Sequence, residues 1–171
     1  MKMKFIVRIS LITIVILITH IHTFAQTEKY MVAFTYQFTR YINWPSTPSV
    51  FVIGIIGNSA ITPHLQQLSK EKKIGTSSIS IAEWGSAEDI GTCNIIIVPE
   101  SQTSHLSSII SKVAGKPVLV ITESSGTIKN GADISFIKKE GKIQFELNTT
   151  AITKSGLMVS SDLARLALKV Y

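Results

Sequence analysis

The chain has a single cysteine, Cys93, in 171 residues. A lone thiol excludes an internal disulfide, so the core must hold by burial alone. Histidine is scarce as well. Beyond the amino-terminal segment only His64 and His105 occur. Neither has a Cys/His/Asp group around it at metal-ligand spacing, so no metal and no cofactor is expected, and each histidine reads as a surface residue. The serines lack a Gly-x-Ser-x-Gly elbow. Asp133, Glu146 and Asp162 stand too far apart in sequence to be paired as acid and base. No internal repeat, low-complexity tract or linker divides the chain. A bilayer span needs roughly 20 apolar residues, and the apolar run Ile9–Ile18 is about half that length.

That short run has its own meaning. Lys2, Lys4 and Arg8 precede it, and Thr23-Phe24-Ala25 follows as a small-x-small site. The order basic, apolar, small is that of a cleavable export signal, with cleavage expected after Ala25; an uncleaved anchor is the alternative. Residues 1–25 are therefore read as a signal peptide and residues 26–171 as one α/β domain. Removing 25 of 171 residues leaves 146, enough for one core, and removing three basic residues lowers the formal charge from +6 to +3. The densest basic group left, Lys70, Lys72 and Lys73, is interrupted by Glu71 and reads as a solvated helix end. Nucleic-acid binding needs a clustered basic stripe, and none is present.

The remaining pattern is regular. Residues 28–43 place Met31, Phe34, Phe38, Tyr41 and Ile42 on one helical face, and Trp44-Pro45 ends the helix. Val50–Ile56, Asn94–Val98 and Pro117–Thr122 are apolar runs of strands covered on both faces, whereas Ser78–Glu83 alternates as a half-buried strand does. Helices are expected at Ala60–Leu68 and His105–Val113, with one helical turn at Ala87–Ile90. Ile134–Ile137 and Ile143–Leu147 flank a hairpin tip with Gly141 at a positive-φ position. Asn148 starts a helical turn. Ser160-Ser161-Asp162 caps a last helix with Leu163, Leu166, Ala167 and Val170 as its core face. The expected fold is α/β and Rossmann-like. It has a mostly parallel central sheet with helices on both faces, plus a carboxyl-terminal antiparallel hairpin and closing helix.

Two places could bind something. Gly57-Asn58-Ser59 follows a buried strand and precedes a helix, so with Pro99–Gln102 it would border the crevice at the strand carboxyl ends, where open α/β sheets hold small molecules. The Gly-x-x-Gly spacing lacks the dinucleotide signature, and these glycines read first as a tight turn. Tyr30, Tyr36, Arg40 and Trp44 lie off the core stripe of the first helix or at its end. Aromatic residues with arginine are common interface anchors. Cys93 precedes an apolar run and reads as a buried structural thiol.

Taken together, several segments resemble the YfiR-like family. The aromatic helix 33–45 closing on Trp44-Pro45 and the strand 51–57 running into Gly57 carry the first part of the likeness. The cysteine-led strand Cys93–Val98, Pro117–Thr122 followed by Gly131-Ala132-Asp133-Ile134, Ile143–Asn148, and Gly156–Leu163 carry the rest. The likeness runs from about Lys29 to Lys169. It implies a periplasmic regulator without enzymatic activity, whose partner is a membrane-bound sensor protein, either a diguanylate cyclase bound at its periplasmic sensor region or a histidine kinase. In the family's cyclase system an outer-membrane lipoprotein relieves the repression. Contact with the membrane would come only through the partner, and a homodimer is compatible with this. A small-molecule binding protein using the crevice is the alternative. Family members can carry cysteine pairs; here Cys93 has no partner, leaving only an intermolecular bridge open to it.

Overall fold

The computed structural model describes residues 26–139 and 141–171; the expected export signal lies outside the described residues. The first helix, α1, covers residues 26–41. It ends two residues before the sequence pattern predicts, because the chain straightens into β1 (Ile42–Asn43), which pairs antiparallel with β9 (Met158–Val159). The amide of Ser160 donating to the Tyr41 carbonyl, 2.9 Å, extends that ribbon to the helix end.

The main sheet is built from β2 (Val50–Ile56), β3 (Lys73–Ile74), β4 (Ser77–Trp84), β5 (Ile95–Val98), β6 (Leu119–Thr122), β7 (Ile134–Lys139), β8 (Lys142–Leu147) and β10 (Lys169–Val170). Their order across the sheet is β10-β8-β7-β6-β5-β2-β4-β3. The pairs β4·β2, β2·β5, β5·β6, β6·β7 and β8·β10 are parallel, while β7·β8 and β3·β4 are antiparallel. The mostly parallel sheet and the antiparallel hairpin follow the sequence expectation.

Alternation explains why the continuous apolar runs fit. Ile53, Ile55, Ile95, Ile97, Leu119 and Ile121 face one layer, which holds α1, α2 (Thr62–Glu71), α4 (Thr149–Lys154) and α5 (Ser161–Leu166). Ile56, Ile96, Val98, Val118 and Val120 face the other, covered by α3 (Leu106–Val113) and the segment holding Ala87, Ile90 and Cys93. Phe38 anchors the first layer, meeting Phe145 edge-on at 5.0 Å and Phe136 at 5.9 Å, with Phe34 alongside. Gly54 is needed within β2 because a Cβ there would lie 2.0 Å from Trp84 Cζ3.

Some elements depart from the sequence reading. Helix α2 starts at Thr62, with Pro63 suited to the first turn, where its missing N–H is not needed. The expected turn at Ala87–Ile90 is a non-helical bend with one bond, Ile90 N–H to Ala87 O, 3.4 Å. A 3-10 helix, Glu100–His105, leads into α3. The caps hold: Asn148 Oδ1 accepts from Ala151 N–H at 2.9 Å, and Ser160 Oγ accepts from Leu163 N–H at 3.3 Å.

The last helix is the main correction. It stops at Leu166, and the chain turns extended as β10 on the free edge of β8. Leu168 N–H donates to Phe145 O and Tyr171 N–H to Leu147 O, both at 2.8 Å, so unpaired groups of β8 capture the segment. Of the expected core face only Leu163 is buried, Ala167 is partly so, and Leu166 and Val170 face solvent. Among the described residues, no helix is long and apolar enough to cross a membrane.

Candidate functional site

The chain leaves β2 toward α2 and β4 on one side, and leaves β5 toward α3 and β6 on the other. The switch point between β2 and β5 is where such sheets open a crevice. Gly57 adopts φ +70°, as a tight turn requires, and a Cβ there would meet Gln102 Nε2 at 2.9 Å. The two loops expected to border the crevice therefore do meet. The first of them is also tied to the segment that follows β6. Ser59 Oγ donates a short hydrogen bond to Glu123 Oε1 and accepts from Ile61 N–H at 3.2 Å, while Asn58 is exposed. Glu123 follows β6 and is buried. Burial raises its carboxyl above the usual range, partly offset by Ser59 and by Lys138.

The four interface candidates divide into two pairs. Tyr36 donates from its hydroxyl to Lys73 O at 2.9 Å and packs on the core. Trp44 meets Phe51 edge-on at 5.0 Å and donates from Nε1 to Asn94 O at 3.3 Å. Both serve the fold. Arg40 is exposed at the end of α1, and Tyr30 is 46% exposed. Tyr30 accepts from Gln26 Nε2 at 3.0 Å and lines a hollow of about 490 Å³ beside Gly141 and Lys142 of the hairpin tip.

A surface that the sequence reading missed lies at the carboxyl-terminal edge. Leu166 is 61% exposed, Leu168 55% and Val170 44%. Met158, 65% exposed, lies in β9 opposite Asn43, three residues beyond Arg40. The spacing of Leu166 and Val170 suits a buried helical stripe, so periodicity hid this surface; Leu166 closes α5 facing solvent, and Val170 stays exposed on the paired strand β10.

The remaining titratable groups that the sequence singles out have separate surroundings. Cys93 is buried, which pushes its thiol up to about 12, so it is inert as a nucleophile. His105 is exposed, with Nδ1 3.2 Å from Gln102 Oε1, and His64 is half-buried. Glu146 Oε1 accepts from the Tyr171 hydroxyl at 3.2 Å, and Asp162 pairs with Arg165 at the surface. Among the described residues, no three His, Cys, Asp or Glu side chains converge as a metal site.

These features define a class: an α/β domain with helices on both faces of a mostly parallel sheet, a switch-point loop bonded to Glu123 and an apolar carboxyl-terminal edge. A sequence profile described as YfiR/HmsC-like matches residues 28–168, and the chain belongs to that family. The family is regulatory and non-catalytic, and is known for periplasmic regulation of diguanylate cyclase.

Proposed function

We propose that this protein is an exported, non-catalytic regulator, freed of its signal after Ala25. It binds the periplasmic sensor region of a membrane-bound diguanylate cyclase or histidine kinase. The family assignment supports the regulatory role, and the observation that carries the docking reading is the apolar carboxyl-terminal edge. Leu166 at the end of α5, Leu168 beyond it and Val170 on the edge strand β10 fall within five residues, and an exposed apolar edge invites a partner. Arg40 and Met158 stand at the linked β1–β9 ribbon and are proposed as flanking contacts, while Tyr30 marks a second exposed anchor near the hairpin tip.

No chemistry is required for such a role. A regulator shifts its receptor between states by binding one of them more tightly. A tenfold preference needs about 1.4 kcal/mol, which is less than the ~1.5–3 kcal/mol available from fully burying one leucine.

The test uses the periplasmic region of a membrane sensor encoded beside this gene, titrated with the purified protein by calorimetry. Saturable binding is expected, and Leu166→Asp with Leu168→Asp should weaken it at least tenfold while leaving the circular dichroism unchanged. An absence of binding by the unaltered protein, or equal affinity of the double variant, overturns the reading. Size measurement of the same samples shows whether a second copy of the chain uses the edge instead.

A further inference from the structure

A groove of about 330 Å³ lies at the end of the sheet opposite the switch-point crevice, between the carboxyl end of α3 and helix α4. Ile110, Val113, Val120 and Ala151 give it apolar walls, Asp133 contributes to its lining, and Lys154 enters from the exposed side of α4. Asn148, Thr150 and Ser155 add polar groups to the lining, and the volume with its mixed walls falls in the range of small-molecule sites.

Asp133 is held unusually firmly. Its N–H donates to Val120 O at 3.0 Å, its carbonyl accepts from Asn148 N–H at 2.8 Å, and its carboxylate Oδ2 accepts from Val120 N–H at 2.7 Å. The residue is only 2% exposed, yet it lines the groove. An ionised carboxylate has about four acceptor positions, and the Val120 amide occupies one of them. Burial raises its pKa to about 7, opposed by the Val120 amide, and no cationic side chain contributes to the balance. Lys154, the one charged group sharing the lining, therefore does not act as its counter-ion.

A buried carboxylate without a cation is costly, and a partner charge is what removes the penalty. The carboxyl end of α3 adds partial negative charge to the same groove. We propose that the α3–α4 groove is a binding site for a small organic ammonium ion, whose charged head is received by Asp133 and whose apolar body lies against Ile110, Val113 and Val120. An anion is disfavoured by the carboxylate, and a neutral alcohol would leave that charge uncompensated. The site shares no lining residue with Leu166, Leu168 or Val170 of the docking edge, and the two readings are tested by different probes and variants.

The experiment is an NMR titration of the purified protein with 2-phenylethylammonium chloride, using 2-phenylethanol as the uncharged isostere. Saturable shifts of the Gly131 and Ala151 amides are expected with the ammonium and not with the alcohol. Asp133 passes from about one-tenth to about nine-tenths ionised between pH 6 and pH 8, so affinity should rise about tenfold across that interval. Asp133→Asn, which keeps an acceptor for Val120 N–H, should lose at least tenfold in affinity, whereas Lys154→Gln should not weaken binding. Equal binding of the alcohol, a pH-independent affinity, unaltered binding by Asp133→Asn, or no saturation up to the solubility of the probe would each overturn the proposal. The pH series and the alcohol control need no variant, so a poorly folding Asp133→Asn does not leave the question open.

Discussion

Asp133→Asn is expected to stabilise the protein at pH 8 and to change little near pH 4. In the unfolded chain this carboxyl has its ordinary pKa of 3.8, whereas in the folded state burial raises it to about 7. The raised value means that its contribution is fully favourable below pH 3.8, where both states hold the proton. It is lost as pH climbs through the window, and the loss is complete above about pH 7. A gap of about three pKa units at 1.36 kcal/mol each gives a penalty of about 4 kcal/mol at pH 8. Asparagine has nearly the same shape and still accepts from Val120 N–H, so it removes the charge without removing the bond. Urea unfolding at pH 4, 6 and 8, followed through Trp44 and Trp84, gives the difference between the two proteins at each pH. Glu123, also raised by burial, titrates in the same direction in both proteins, so it cancels. Parallel pH profiles, or a variant less stable than the parent at pH 8, would refute the assignment of a buried, uncompensated carboxylate. Against a typical total stability of ~5–15 kcal/mol, an effect of this size would dominate the pH profile.

Three further outcomes follow from single contacts. Cys93, buried with its thiol pushed up to about 12, should resist Ellman's reagent in the native protein at pH 8 and react on unfolding; fast stoichiometric labelling of the native state would contradict its burial and reopen the intermolecular disulfide. Gly54→Ala places a methyl against the Trp84 ring and should cost about 1–3 kcal/mol or more by overpacking, with a shifted Trp emission; an unchanged urea midpoint would show that the ring is free to move. Ser59→Ala leaves buried Glu123 without its hydroxyl donor and should cost about 1–3 kcal/mol at neutral pH, less in acid, where Glu123 is protonated; a uniform loss across pH would mean the bond matters only as a loop clasp.

Much of the architecture can be read residue by residue. The runs Val50–Ile56, Asn94–Val98 and Pro117–Thr122 have apolar groups at odd and even positions alike, and a strand sandwiched between helical layers is the arrangement that buries both sets. The Gly141 turn, the Asn148 cap and the Ser160 cap are local chemistry, and each appears where its residue type demands. Of the candidate sites, the Gly57–Ser59 loop follows β2 at a positive-φ turn that local residue types make legible, but no local signal reveals that Glu123, 64 residues away, bonds Ser59. Tyr36 and Trp44 carry the residue types of interface anchors, yet their hydrogen-bonding groups are taken by Lys73 and Asn94, partners distant in sequence.

Taken by itself, the sequence determined the α/β class, the order of the long elements, the inert buried thiol and the family likeness, because periodicity and capping act within a few residues. Tertiary structure alone decided that the last segment is an edge strand and that Asp133 is a buried carboxylate facing a groove. Ala167 and Val170, spaced to continue the helix that ends at Leu166, fit a helix as well as a strand until the open edge of β8 supplies hydrogen-bond partners from more than twenty residues away. Asp133 is an ordinary acidic residue until the amide of Val120, thirteen residues earlier, binds its carboxylate inside the core. Long-range backbone pairing chose between alternatives that local physics left nearly equal in energy.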